Sequence, residues 1–109
     1  MQPVAVLAGK RANVIYAVPR QLDHLPIQWL GAHDHGEVIR QLDTEPRICC
    51  VIMGASMDDD MRGDLIGLIA TRRPNLSIHL KDRASGPDGM VGFVEQIVEN
   101  LVLRGKIPA

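Results

Sequence analysis

Residues 48–53, Ile48-Cys49-Cys50-Val51-Ile52-Met53, are six consecutive apolar residues, followed by Gly54-Ala55-Ser56 and then by three aspartates, Asp58, Asp59 and Asp60. An apolar run of this length, bounded by turn residues, is expected to be a strand buried on both faces that runs out into a loop before a helix. In open α/β sheets, ligands and chemistry collect beyond the C-terminal ends of the strands. The chemical groups present and absent just after Met53 therefore bear most directly on what the chain can do.

The rest of the chain alternates around this strand. Val4-Ala5-Val6-Leu7, ended by Ala8-Gly9, reads as a first strand. Val14-Ile15-Tyr16-Ala17-Val18 allows two readings: a helix begun near Asn13 and ended or kinked by Pro19, or a strand paired back in a hairpin, because the segment has high β propensity. The helix is favoured. Residues 26–31 alternate as a short strand, and Asp34 with Glu37 forms a capping box for a short helix buried through Val38, Ile39 and Leu42 and stopped at Glu45-Pro46. The helix after residue 56 takes its cap from Ser56 or from one of the aspartates, buries Met61, Leu65, Leu68 and Ile69, and ends at Arg72, Arg73 and Pro74. Residues 76–80 alternate as a further strand. After a loop from Lys81 to Gly86, Pro87 opens a last helix carrying Met90, Phe93, Val94, Ile97 and Leu101 at helical spacing, with Gly105 and Pro108 marking its end. This alternation predicts an open parallel α/β sheet of four to five strands with helices on both faces. The 109 residues form one domain, with residues 104–109 readable as the start of a linker.

Composition narrows the functional classes. Aromatics are only 3% of the chain, so the core is aliphatic and few rings are available to stack on bases or sugars. Net charge is -1, with Lys and Arg scattered, which argues against nucleic-acid binding by this domain. No segment approaches the apolar length of a membrane span, and a cytoplasmic chain without membrane association is expected. Cys49 and Cys50 are adjacent; strict alternation would send them to opposite faces as two small buried hydrophobes, and a disulfide between them is sterically poor.

The candidate motifs are incomplete. Three consecutive carboxylates at the start of a helix point in different directions, so Asp58, Asp59 and Asp60 fit capping better than a Mg²⁺ site. His33 and His35 lack a third ligand and fit a capped loop with solvated imidazoles, and His79 fits the polar side of its strand. Ser56 and Ser85 have no legible catalytic partners. Gly9-Lys10 and Gly54-Ala55-Ser56 lack the spacing of a phosphate-cradling loop. No cofactor is expected.

The order of elements, with Leu7-Ala8-Gly9-Lys10-Arg11-Ala12-Asn13 at the first strand's exit, residues 48–63 at the centre and Arg73-Pro74-Asn75-Leu76-Ser77-Ile78 before the last units, resembles the receiver domain of bacterial response regulators. That resemblance implies an acidic pair for Mg²⁺ after the first strand, where this chain has Ala8 and Gly9. It implies a phosphoacceptor Asp three residues before a Met; Met57 fits that Met, and the acceptor position is Gly54. A Thr or Ser is implied at the fourth strand's exit, where this chain offers Lys81 or Asp82, and Lys81 is the candidate for the Lys implied at the end of a fifth strand. The span from Leu80 to Pro87 is too short for another helix and strand. The resemblance therefore implies a degenerate, shortened receiver with a pocket at Ala8, Gly9, Gly54 and Lys81. Such a domain is expected to be a non-enzymatic signalling module, independent of phosphorylation, that docks a protein partner or forms a homodimer. The alternatives are a small-ligand or nucleotide sensor at the Gly9, Gly31 and Gly54 loop ends, or a subunit of an enzyme assembly.

Overall fold

The computed structural model describes residues 2–84, 86 and 89–107. The elements are β1 Val4–Ala8, α1 Ala12–Gln21, β2 Gln28–Ala32, α2 His35–Thr44, β3 Ile48–Met53, α3 Asp59–Arg72, β4 Ser77–Leu80 and α4 Met90–Leu103. The four strands form one parallel sheet in the order β2-β1-β3-β4. This is the flavodoxin-like order of the 2-1-3-4-5 type with four strands among the described residues.

Each face of the sheet carries its own aliphatic core. Ala5, Leu7, Cys50 and Ile52 meet Val18 of α1, Leu22 at its C-cap, and Val94, Ile97, Val98 and Leu101 of α4. On the other face Val6, Val51 and Met53 meet Val38 and Leu42 of α2 and Leu65 and Ile69 of α3. The central strands β1 and β3 are buried along nearly their whole length, which explains why their sequences are continuous apolar runs and not alternating ones.

The ambiguous segment 11–19 is helical from Ala12 onward, with Arg11 as the N-cap. Ile15, Val18 and Leu22 are buried whereas Tyr16, Ala17 and Arg20 are exposed, a helical period that outweighs local β propensity. Pro19 does not end α1 at once: it lies inside the helix, which continues to Gln21, and Leu22 N–H reaches back to the carbonyls of both Val18 and Pro19. The cap of α2 also differs in detail from a capping box. Asp34 accepts from Glu37 N–H at 2.8 Å as expected, but the Glu37 carboxylate accepts from His33 N–H at 2.9 Å and not from Asp34. His33 lies just past the last β1–β2 pair, Ala8↔Ala32, so its N–H has no ladder partner.

Strict alternation fails at the cysteines. Val4 pairs with Ile48 but Ala5 pairs with Cys50, so Cys49 is an extra residue on β3. The bulge turns Cys49 and Cys50 toward the same layer, that of α1 and α4, instead of to opposite faces. A hydrogen bond between the two thiols lowers the Cys49 pKa and, together with burial, raises that of Cys50.

The last helix closes with Gly105 at φ +72°, where Lys106 N–H donates to Leu101 O at 2.8 Å and Gly105 N–H to Val102 O at 3.0 Å. Ile107 is returned to the core. Pro87 and Pro108, the expected start and stop signals of this helix, lie outside the described residues, as does Ser85; the described helix begins at Met90.

Candidate functional site

Backbone bonds join the exits of the four strands. Gly9 N–H donates to Ala32 O at 3.0 Å, Gly54 N–H to Ala8 O at 2.8 Å, and Lys81 N–H to Met53 O at 2.9 Å. Ser56 Oγ accepts from Lys10 N–H at 3.0 Å and so ties the turn after β1 to the loop after β3. The four positions expected to form a pocket, Ala8, Gly9, Gly54 and Lys81, are therefore brought together. Gly9, Gly54 and Lys81 line a cavity of about 140 Å³ with Arg11, Ser56 and Arg83. A Cβ at Gly9 would lie 3.5 Å from Ser56 Oγ, and one at Gly54 would lie 3.5 Å from Ala8 O, ordinary contact distances. Close approach does not explain why either position lacks a side chain.

Lys81 follows β4 directly and is only 2% exposed. Its Nζ donates to Asp82 O at 2.7 Å and to Asp82 Oδ1 at 3.1 Å, and it lies 6.0 Å from the centre of the Phe93 ring. Beneath the pocket lies a second cation that the sequence reading missed. Arg62 of α3 is 6% exposed, and its Nη2 donates to Gly54 O at 2.8 Å and to Lys81 O at 2.6 Å. Its Nε has no partner among the described residues. Burial first, and the positive field of Arg83 next, lower the Arg62 pKa, while Asp59 opposes them. The signal for Arg62 was its spacing: residues 62, 65 and 69 share one helical face, and the other two are core.

The three aspartates divide their work. Asp58 is the N-cap of α3 and accepts from Met61 N–H at 2.8 Å. Asp59 pairs with Arg83 at 3.0 Å, whose other Nη donates to Met57 O at 2.8 Å. Asp60 is exposed in the first turn. None lines the cavity. Mg²⁺ takes oxygen ligands, usually including one or two carboxylates. The residues here do not fit it, because Ala8, Gly9 and Gly54 have no side-chain oxygen and the groups around them are Lys81, Arg62, Arg11 and Arg83. Among the described residues no three His, Cys, Asp or Glu side chains converge to hold a metal ion.

His33, His35 and His79 are only partly exposed. His33 Nδ1 lies 3.3 Å from the Glu37 carboxylate, with the Tyr16 ring centre 6.2 Å from its own. His35 Nε2 is buried without a partner among the described residues. His79 contacts the Ser77 hydroxyl, and its pKa is lowered by burial and then by Arg104. Gly31 stands apart from the cavity: it packs under Ile15, whose Cγ2 would lie 2.2 Å from an added Cβ.

No protein-family model matches the sequence, and no curated protein matches it. Solved structures do. A response regulator receiver protein from Pseudomonas putida superposes with a TM-score of 0.69 at 24% identity, covering 95% of this chain and 98% of that one. The RcsB response regulator of Salmonella typhimurium gives 0.68 at 17% identity, covering 99% of this chain but 63% of that longer one. The receiver domain of RcsB from Escherichia coli gives 0.63 at 19% identity, covering 89% and 76%.

The chain has the receiver fold. Its pocket lies where that fold places the strand exits, with Gly54 immediately after the central strand and Lys81 immediately after β4. Within the receiver order the fifth strand is absent among the described residues, and α4 packs beside α1 on the face opposite α2 and α3.

Proposed function

We propose that this is a single-domain, cytoplasmic, receiver-like regulatory module that is non-catalytic, is not switched by phosphorylation, and acts by docking a protein partner or a second copy of itself. The observation that carries this reading is the side-chain inventory of the pocket. Phosphoryl transfer to a carboxylate needs an attacking carboxylate and a metal to neutralise the phosphate oxygens. Ala8, Gly9 and Gly54 supply neither. The buried Arg62 and Lys81 add positive charge at the strand exits, which opposes a divalent cation.

Docking surfaces are present on the helices. Tyr16 of α1 is 60% exposed and Leu103 of α4 is 83% exposed, both large apolar side chains on the α1/α4 side. RcsB of Salmonella, a longer chain, interacts with DNA. The net charge of -1 here supports a protein partner instead. The small-ligand alternative is disfavoured by size, since sites for drug-sized ligands run to about 300–1,000 Å³ and this cavity is about 140 Å³.

The test is incubation with Mg²⁺ and acetyl phosphate followed by intact-mass and peptide mass spectrometry. No phosphoryl adduct is expected. An adduct mapped to Asp58, Asp59, Asp60 or Asp82 would falsify the proposal.

A further inference from the structure

With four strands among the described residues, β4 is an edge, and its outer side has no strand partner there. Lys81 N–H bonds inward to Met53 O, so alternation directs the N–H and C=O groups of Ile78 and Leu80 outward. Backbone groups of this kind are a template for an added strand. Two further features accompany the open edge. Leu80 is 42% exposed, an apolar side chain on the strand itself. On the α4 side, over the N-terminal ends of β3 and β4, lies a cleft of about 530 Å³ lined by Cys49, by Ser77 and His79 and by Arg72, Arg73, Arg104 and Lys106.

Among the described residues no carboxylate lines this cleft. Arg72 is 3.4 Å from Asp43, and Arg73 is committed to backbone carbonyls. The side chains of Arg104 and Lys106 are exposed and have no hydrogen-bond or ion-pair partner among the described residues. His79 adds no carboxylate, and its lowered pKa keeps it neutral near pH 7. Cations beside an edge strand discourage pairing with neutral or basic strands. A second copy would bring the same cations to the seam, whereas an acidic strand would neutralise them.

We propose that the β4 edge and the cationic cleft beside it form a docking site for an extended, acidic segment of a partner protein, which adds to the sheet as a fifth strand. Main-chain bonds to Ile78 and Leu80 supply the pairing, Leu80 gives one apolar contact, and Arg104 and Lys106 select acidic side chains on the cleft side. This rests on the reading that the module works by protein docking. It is tested without Mg²⁺ or phosphodonor, so its outcome is separate from that of the phosphorylation experiment.

The probe is a fluorescein-labelled ten-residue peptide alternating Val and Glu, titrated with the full chain by fluorescence anisotropy and compared with the matching Val–Lys peptide. Saturable binding of the acidic peptide alone is expected, weakening as salt rises. Arg104→Glu with Lys106→Glu, both exposed, should weaken it at least tenfold. Ile78→Pro removes the outward N–H at an edge position where proline is tolerated, and should abolish binding while circular dichroism stays unchanged. If that variant unfolds, amide exchange in the native chain decides: peptide should slow exchange at Ile78 and Leu80. Equal binding of both peptides, or acidic binding with unchanged exchange at Ile78 and Leu80, overturns the proposal. So does a dimer in light scattering that the acidic peptide fails to compete with and that Ile78→Pro dissociates, because the edge would then belong to a second copy.

Discussion

Arg62 lies in α3 and Arg73 caps that helix, and both direct their guanidinium groups at backbone carbonyls, but they do so at opposite ends of β3. Arg73, at the C-cap of α3, donates to the carbonyls of Leu42, Glu45, Pro46 and Ile48 at 2.9–3.3 Å, where α2 ends and β3 begins. It is half-buried and remains in contact with water. Arg62 donates to Gly54 O and Lys81 O just past the other end, and is buried. The first is a fastening that could stand at the base of many α/β sheets. The second occupies the end of the sheet where chemistry is normally placed, so that the strand exits here are held by a structural cation.

The contrast predicts unequal costs. Arg62→Met should destabilise the chain by about 3 kcal/mol in urea unfolding, since two carbonyls lose a charged donor in a setting with little access to water. Arg73→Met should cost about 1 kcal/mol, because its carbonyl partners can recruit solvent. Equal costs would erase the distinction between the two ends. The smallest effect concerns neither Arg62 nor Arg73. The folded-state pKa of His79 lies below its ordinary 6.5, through burial and Arg104. Above pH 6.5 the group is neutral in both states and contributes no pH dependence. As pH falls below 6.5 the unfolded chain takes up the proton first, so stability declines until the folded-state pKa is reached. Unfolding of His79→Gln should show a shallower decline over that window, and the difference should persist in an Arg73→Met background.

Much of the architecture is written in the sequence at the level of period and punctuation. The apolar run 48–53, the Asp34 cap and the helical spacing from Met90 to Leu101 each act through local rules, and each element forms where those rules place it. The close spacing between Leu80 and Pro87 likewise shows that no further strand and helix fit before α4. What escapes is set by tertiary geometry. The Cys49 bulge depends on the offset between β1 and β3, which neither strand encodes alone. Spacing puts Arg62 on the buried face of α3 with Leu65 and Ile69, but its carbonyl partners, Gly54 and Lys81, are set by packing and not by the sequence nearby. The gathering of Ala8, Gly9, Gly54 and Lys81 follows from strand order, and no spacing along the chain announces it.

One further consequence belongs to the route from β4 to α4. α4 lies on the side of the sheet opposite α3, and its first residue, Met90, comes to the strand exits. Lys81, Arg83 and Gly86 of that segment, with Met90 at the helix start, are also walls of the small cavity. Met90 thus belongs both to the core shared with α1 and to the wall of the cavity, so the start of α4 and the strand exits share one side chain.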